Sequence, residues 1–383
     1  MNTEVLTGNK EGLNEESYFF FRLLSEIEGI GVVKIKNLYK YFTSFPAIFS
    51  ASLKELTLVE GISPELASRI HGADKISQDL KKRITKESNT LFELGGRCVM
   101  IWDEEYPARL KKIYDPPIAL YILGNIIKED ENSIGVVGTR QPSPYGKQSA
   151  EFFSKELVKS GWTVVSGLAR GIDTAAHIGA LKAGGRTIAV LGSGLDKVYP
   201  AENKKLADAI VKNGAVITEY PIGTKPDAGN FPKRNRIISG LSRGVLIVET
   251  KVSGGALITA RYAIDQNREV YAVPGSVFYA GAEGGNLIIK KSEAKLVSKV
   301  SDILEDFGDV PMMQGKAKEA PKVHHNLNLF EQKIVKCLSE QAISIDNIAH
   351  MTSFSVSDCL VNLLQLEFKG IVKQLPGKMF ILE

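Results

Sequence analysis

The stretch Ile134-Gly135-Val136-Val137-Gly138-Thr139-Arg140 decides the fold, because an apolar run ends there abruptly in glycine and a cation. An apolar run without polar alternation is typical of a strand that is buried on both faces of a sheet. Helical patterns separate this run from later ones, so the alternation predicts βαβ units and a doubly wound parallel sheet. The later runs are Thr163–Val165, Thr187–Leu191, Ala215–Thr218, Val245–Val248 and Val270–Val273.

Two further apolar runs and a set of helices surround these strands. The runs Arg97–Trp102 and Ile118–Leu123 are separated by prolines and are predicted to lead into the sheet. Helices between the strands are expected at Gly146–Lys159, Thr174–Lys182, Asn203–Val211 and Ala256–Asn267.

The region before the sheet has a helical pattern from Tyr18 to about Leu94, with apolar residues three and four positions apart. Two glycine turns, Ile27–Gly31 and Leu58–Ser63, interrupt the pattern, and each resembles a helix-hairpin-helix turn. In such a turn, glycines let backbone amides approach a phosphate at a helix start. The alternative is a helical pair that only packs, and packing is the favoured interpretation for this region taken alone.

The C-terminal region resembles a winged helix. Asp309–Asn328 is rich in Pro, Gly, Lys and Met, which predicts a linker. After it come three helical candidates and an alternating hairpin turned at Pro376-Gly377, and Ser355 would begin the second helix of a helix-turn-helix. Few basic residues lie on that helix, so a protein-contact or structural role is slightly favoured over DNA binding. The three candidates are Glu331–Ser339, Ser344–His350 and Ser355–Lys369.

These patterns divide the chain into four segments. We predict a helical domain over residues 1–95, a sheet domain over 96–306, a linker over 307–328 and a winged-helix domain over 329–383. The expected fold class is thus α/β, with a doubly wound, mostly parallel sheet between a small helical N-terminal domain and a C-terminal winged-helix domain.

Composition limits the possible functions. The net charge of +4 is too mild to prove a nucleic-acid partner, because a binding surface is a local feature. Cys98, Cys337 and Cys359 lie far apart, which argues against a disulfide framework or a zinc site and fits a reducing compartment. The N-terminal residues are polar and acidic, and no apolar run approaches the ~20 residues of a membrane span. We therefore expect a cytoplasmic protein without a metal or a membrane partner.

Glycines and cations follow the predicted strands at the point where each strand ends. In open parallel sheets, ligands bind beyond the carboxyl ends of the strands. Small loops expose backbone amides to a phosphate, while Arg and Lys supply charge and forked hydrogen bonds. We predict an anion-binding rim made of Gly138–Arg140, Ser166–Asp173, Gly192–Lys197, Phe231–Arg236 and Ser253–Ala256.

A dinucleotide is disfavoured as the anion. The GxGxxG fingerprint is incomplete at both Gly138-Thr139-Arg140 and Gly192-Ser193-Gly194, so we expect no cofactor. The cluster Phe231–Arg236 instead joins an aromatic ring to cations and an amide, which are the components of a site for single-stranded nucleic acid. Taken by itself, the cluster is better explained as a helix start with solvated cations and a phenylalanine in the core.

The order of these motifs resembles the DNA-processing protein A (DprA/Smf) family. The resemblance spans roughly Gly96 to Val300 and rests on Gly138–Arg140, Ser166–Asp173, Thr187–Pro200, Phe231–Gly240, Ser253–Thr259 and Ala272–Gly275. It implies an extended Rossmann-like fold that binds single-stranded DNA and self-associates through the Rossmann domain as a homodimer. It also implies delivery of the strand to the RecA recombinase in natural transformation.

The resemblance also assigns DNA-binding residues. They are Arg140 with the loop residues Gly138 and Thr139, Lys197, the group Phe231, Lys233, Arg234, Asn235 and Arg236, and the phosphate neighbours Gly167, Arg170, Ser253 and Gly254. Asp173, His177 and Glu249 are interpreted as structural, with Asp173 expected to cap the helix that it begins. No catalytic constellation emerges, so we expect a protein that is not an enzyme.

Two other functions compete with DNA binding. One is a nucleotide or nucleoside-phosphate hydrolase with Ser253–Thr259 as its phosphate loop, although Ser253 and the Leu-Ile pair depart from the PGGxGT loop of phosphoribohydrolases. The other is an interaction scaffold whose sheet binds nothing. A scaffold does not account for cations beside the glycine turns.

Overall fold

The structure is a computed structural model that describes residues 12–72, 78–308, 327–338, 343–369, 371–375, 377 and 379–382. By its internal contacts the chain divides into two compact units, Met1–Pro311 and Met312–Glu383. The helical N-terminal region thus belongs to the same unit as the sheet. The finer bounds expected for the four segments stay a prediction, and residues 309–326 of the expected linker lie outside the described residues.

Within the described residues of the first unit, nine strands form one sheet in the order β1-β2-β6-β5-β4-β3-β7-β8-β9. β1 and β2 join it as antiparallel strands, while all other neighbours are parallel. The predicted mostly parallel sheet is therefore confirmed. The strands are β1 Arg97–Met100, β2 Ala119–Gly124, β3 Ser133–Val137, β4 Thr163–Ser166, β5 Thr187–Val190, β6 Gly214–Thr218, β7 Gly244–Ile247, β8 Glu269–Ala272 and β9 Lys295–Leu296.

Helices precede the sheet and connect its strands. Before the sheet lie α1 Glu15–Ser25, α2 Val32–Phe42, α3 Phe45–Ser50, α4 Leu53–Thr57, α5 Pro64–His71 and α6 Gln78–Glu93. Between and after the parallel strands lie α7 Pro144–Lys159, α8 Ile172–Lys182, α9 Lys204–Lys212, α10 Asn230–Leu241, α11 Ala256–Asp265, α12 Glu283–Lys290 and α13 Ser301–Leu304.

Alternate residues of β3, β4, β7 and β8 enter different cores, as expected for strands covered on both faces. In β3, Ile134 and Val136 pack with Phe153 of α7, whereas Val137 packs in the cluster that holds Ile237 of α10. The N-terminal helices also belong to that second cluster, in which the ring of Tyr18 meets the ring of Tyr121 edge-on at 6.1 Å. Helices on both faces make the sheet doubly wound.

The start of α7 shows how the sequence ends a loop and begins a helix. Ser143 is the N-cap, with its hydroxyl accepting the amide of Gly146 at 3.0 Å, and Pro144 occupies the first helical position. Proline is favoured there because its missing N–H would have no helical partner. The loop before Ser143 is thereby fixed at the carboxyl end of β3.

The second unit contains α14 Leu329–Cys337, β10 Ile343–Ser344, α15 Ile345–Thr352, α16 Val356–Phe368, β11 Val372–Leu375 and β12 Met379–Leu382. Its sheet has the order β10-β12-β11, and Ile334, Ile348, Leu363 and Phe380 lie in its core. Ser355 accepts the amide of Asp358 and so begins α16, as predicted. Three helices and an antiparallel hairpin confirm the winged-helix outline.

Cys98, Cys337 and Cys359 are free thiols. Among the residues that the structure describes, no group of His, Cys, Asp and Glu is arranged to hold a metal ion. In the same residues, no helix combines the length and the apolarity that a membrane crossing requires.

Candidate functional site

An open cleft with a volume of about 770 Å³ lies at the carboxyl ends of the central strands. Its walls come from the loop after β3, the first half of α10 and the segment that joins β7 to α11. Eight of the predicted residues line it, namely Gly138, Thr139, Arg140, Phe231, Arg234, Asn235, Ser253 and Gly254. Gly167, Arg170, Lys197, Lys233 and Arg236 are not among its lining residues.

The loop after β3 holds Arg140 at the mouth of the cleft. The amide of Thr139 donates to the carbonyl of Glu249 at 2.7 Å, which ties the loop to the end of β7. Gly138 is required by packing, since a Cβ there would lie 2.5 Å from a side-chain carbon of Ile172. Arg140 is exposed, its guanidinium carbon lies 5.5 Å from the centre of the Phe231 ring, and among the described residues it makes no ion pair.

The basic cluster Phe231–Arg236 lies in helix α10 and not in a loop after the fourth strand. Successive side chains on a helix point about 100° apart, so the cluster is divided among several directions. Phe231 and Asn235 are half-buried and face the cleft, while Lys233 is exposed outside it. The interpretation as a helix start is correct for this segment's local structure.

Arg234 forms the floor of the cleft and is only 3% exposed. Its guanidinium donates to the carbonyl oxygens of Gly167, at 2.7 Å, and Val190. A Cβ at Gly167 would lie 2.5 Å from the Nη2 atom of Arg234, so glycine at this position makes room for the guanidinium.

Asp173 completes this buried cluster. Its carboxylate accepts the amide of Ala169 at 3.3 Å, so it closes the turn before α8 and does not cap the helix as predicted. Burial raises the pKa of Asp173, while the charge of Arg234 and the hydrogen bonds to the carboxylate oppose that rise. Burial likewise lowers the pKa of Arg234, against the attraction of Asp173.

Three of the predicted cations, Arg170, Lys197 and Arg236, lie close to carboxylates. Arg236 donates to both oxygens of Glu219, at 2.9 and 2.6 Å, and lies 3.3 Å from Asp115. Arg170 makes a two-fold hydrogen bond with Glu202, at 2.6 and 3.0 Å. Lys197 lies 3.4 Å from its neighbour Asp196 and lines a separate cleft beside α1 and α6. Their predicted DNA contacts stay predictions.

The residues predicted to be structural make structural contacts. The Glu249 carboxylate accepts the amide of Ser143 at 2.9 Å and its hydroxyl at 2.5 Å, which fixes the start of α7. His177 is buried against the Thr187 hydroxyl at 2.7 Å. Burial, together with the charge of Arg234, lowers the pKa of His177 to about 3.

Two cleft residues were missed from the sequence. Lys251 is exposed and lines the cleft, and its position two residues after the buried Glu249 at a strand end was an available signal. Tyr199 lies in the family-like stretch Thr187–Pro200 but was not predicted as a site residue. Its ring centre is 5.7 Å from that of Phe231, which makes the two rings one aromatic wall.

A mostly parallel sheet with helices on both faces, and a cleft with cations and aromatic rings at its carboxyl edge, defines a Rossmann-like α/β protein. A family model described as DNA recombination-mediator protein A matches residues 97–308, more than half of the chain. A DprA winged helix domain matches 318–378, and a SAM-like Helix-hairpin-helix tandem matches 21–72. The chain belongs to the DNA recombination-mediator protein A family, which is the DprA/Smf family that its motifs resemble.

Individual relatives agree with this assignment. Protein Smf of Synechocystis is 33% identical over 95% of this chain and 98% of its own length. The solved structure of DNA processing protein A from Streptococcus pneumoniae has a TM-score of 0.64 and 34% identity, and the match covers 77% of this chain and 98% of that one. DNA processing protein A from Helicobacter pylori, whose solved structure concerns its single-stranded DNA binding mode, has a TM-score of 0.50 and 29% identity, over 55% of this chain and 95% of that one.

Proposed function

We propose that the cleft binds single-stranded DNA and that the protein acts in DNA processing and recombination. The observation that carries this proposal is the exposed guanidinium of Arg140, which makes no ion pair among the described residues and lies beside the ring wall of Phe231 and Tyr199. Cations that follow a backbone and rings on which bases stack are the two components of single-strand binding sites. Both are present within one cleft.

Each wall of the cleft has its own task. Arg140 and Lys251 contact phosphates, because both are exposed and lack an ion pair among the described residues. The rings of Phe231 and Tyr199 stack on bases, and Asn235 hydrogen-bonds a base edge. Ser253 offers a backbone amide just before α11, where the helix dipole favours a phosphate, while the amide of Gly254 donates to the carbonyl of Lys251 at 2.9 Å and so closes that turn. Arg234 acts from below, by shaping the Gly167 turn.

A single strand fits this cleft better than a duplex. The bases of a duplex are stacked and paired, so rings inside a concave site cannot reach their faces. A strand with unpaired bases can turn them toward Phe231 and Tyr199 while its phosphates remain at the rim. We therefore expect a preference for single strands with little dependence on sequence.

In the cell, we propose that the protein protects incoming single strands and loads RecA recombinase onto them in natural transformation. Relatives named DNA processing protein DprA, such as that of Bacillus subtilis at 46% identity, support the DNA-processing part of this role. We also propose a homodimer formed through the Rossmann-like domain. Sedimentation of the purified protein tests the dimer, and RecA-dependent ATP hydrolysis on single strands, with and without the protein, tests the loading.

The binding test is a fluorescence titration of oligothymidine and of duplex DNA at several salt concentrations. We expect tighter binding to the single strand, and Arg140→Ala should weaken it at least about tenfold by removing a charge-assisted contact. The slope of log affinity against log salt should fall by about 0.7 for each lost phosphate contact.

The matched control is Lys212→Ala, an exposed lysine at the end of α9 and so at the opposite edge of the sheet. It should change neither the affinity nor the salt slope. Equal binding by the wild type and Arg140→Ala contradicts the proposal. Release of base from a nucleoside monophosphate would instead support the hydrolase.

A further inference from the structure

A second cavity of about 370 Å³ opens at the same edge of the sheet. It lies between the start of α7 and the segment that joins β8 to α12. One wall is formed by Ser143 and Tyr145, the other by Pro274–Ser276 and Tyr279, and its floor includes Glu249. None of these residues has a task in the main cleft.

The second cavity adjoins the main cleft directly. Thr250 and Lys251 line the main cleft, while Val248 and Glu249, the two residues before them, line the second cavity. Because these four residues are consecutive, the linings of the two cavities meet just beyond the carboxyl end of β7. A single DNA strand that leaves the main cleft past Arg140 can therefore continue directly into the second cavity.

Exposed aromatic side chains lie on both segments that form this cavity. Tyr145 is 52% exposed, and its hydroxyl donates to the carbonyl of Pro274 on the other wall at 2.9 Å, which fixes the ring at the cavity. Phe278 is 96% exposed and lies in the chain between the lining residues Ser276 and Tyr279, and its neighbour Val277 is 81% exposed. Lys147, in the first turn of α7, is exposed and makes no ion pair within the part of the chain that the structure describes.

The cavity's chemistry selects a base over a phosphate. The buried carboxylate of Glu249 repels a phosphate from the interior, while two exposed cations lie nearby along the chain, Arg140 three residues before Ser143 and Lys147 two residues after Tyr145. A nucleobase has apolar faces for the rings of Tyr145 and Phe278. The Glu249 carboxylate already accepts from Ser143 and from the hydroxyl of Tyr279, at 3.4 Å, so it excludes anions and is not needed to bind the base. The phosphates of the same strand can then remain outside, beside the cations.

We propose that this cavity binds one nucleobase of a single strand that leaves the main cleft, with Phe278 and Tyr145 as its stacking partners. The proposal rests on the proposed function of the main cleft and extends the DNA path beyond it. The occupied length of DNA is therefore longer than the main cleft alone can hold.

The test measures the affinity of Phe278→Ala for oligothymidines from about 4 to about 16 nucleotides long. Short oligothymidines that fill only the main cleft should bind Phe278→Ala with the same affinity as the wild type. Longer strands should bind about 5- to 20-fold more weakly, because one stacked base is lost. The matched control is Tyr114→Ala, which removes a fully exposed ring outside both cavities and should leave every length unaffected.

A second measurement needs no variant. An aminopurine base is moved along a long oligothymidine, and its fluorescence should be quenched at a separate position outside those held in the main cleft. Quenching confined to one continuous run in the main cleft, or wild-type affinity of Phe278→Ala for long strands, overturns the second pocket. If Arg140→Ala still weakens binding, the proposed function survives that result.

Self-association is the other competing explanation for an exposed Phe278. Sedimentation of Phe278→Ala at the concentrations of the binding assay separates the two. A shift toward a smaller species overturns the base-binding proposal, whereas an unchanged species together with the length-dependent loss supports it.

Discussion

Arg140 and Arg234 line the same cleft, yet the protein holds them in opposite ways. Arg140 is exposed, lies beside the ring of Phe231 and makes no ion pair within the described residues, so its charge is available to a ligand. Arg234 is 3% exposed and donates to two backbone carbonyls, with Asp173 close by. The difference shows that a cation near a ligand site can serve either the ligand or the walls that shape the site.

The backbone explains this division. A loop lets Arg140 project from the sheet edge, while a helix imposes its geometry on Arg234 and Arg236. Each of these helical arginines meets acceptors on a neighbouring element, namely the β4 and β5 ends for Arg234 and Glu219 after β6 for Arg236. Substitutions of loop and helix cations should therefore separate binding from stability.

The largest expected effect on stability is that of Arg234→Met. It leaves the buried Asp173 without its opposite charge, which typically costs about 3–5 kcal/mol in the free energy of unfolding. Urea denaturation at neutral pH measures the loss. Adding Asp173→Asn should recover part of it, because the unpaired buried carboxylate is then removed.

The matched control for Arg234→Met is Arg140→Met. This exposed side chain has no ion pair among the described residues, so its removal should change the free energy of unfolding by less than about 0.5 kcal/mol. If both variants lose the same stability, the two arginines are held alike and the comparison fails.

His177 makes an intermediate contribution to the free energy of unfolding, and this contribution depends on pH. Its pKa is lowered from 6.5 to about 3 by burial and by Arg234, so the unfolded chain takes up a proton at this residue before the folded protein does. Its contribution to stability is full above about pH 6.5 and is lost as the pH falls toward 3. The loss is up to about 1.4 kcal/mol for each pH unit.

Urea denaturation of the wild type and of His177→Gln, at a series of pH values, isolates this contribution. The variant should lack the part of the pH dependence that begins near pH 6.5, while the exposed His71→Gln should keep it. Parallel curves for the wild type and His177→Gln would show that this histidine does not couple folding to pH.

The sequence predicted the strands and the edge of the sheet better than the individual contacts. Apolar runs such as Val245–Val248 mark buried strands because a sheet covered on both faces requires them. Gly138 and Arg140 were found because the carboxyl ends of parallel strands meet at one edge. Both inferences depend on local sequence and on a general rule of topology.

The division among the cations could not be predicted in the same way. Glu219 and Asp115 are distant in sequence from Arg236, and only the folded sheet brings them together. Lys251 was missed although it follows Glu249 at a strand end, because only its exposure in the folded cleft distinguishes it from other lysines. A helix start over Phe231–Arg236 was recognised as an interpretation, but composition alone did not show which of its side chains would face the cleft.

The smallest expected effect on stability belongs to Lys233, the exposed cation of α10. It makes no ion pair in the described part of the chain, so Lys233→Ala should leave the free energy of unfolding within about 0.5 kcal/mol of the wild type. If the bound DNA strand passes over the exposed face of α10, Lys233→Ala should lower the slope of log affinity against log salt for oligothymidine by about 0.7. Lys212→Ala is again the control, because it removes an equally exposed lysine at the far edge of the sheet. A slope unchanged by Lys233→Ala but lowered by Arg140→Ala would confine the DNA to the loop side of the cleft, and α10 would then contribute only its ring and its buried arginine.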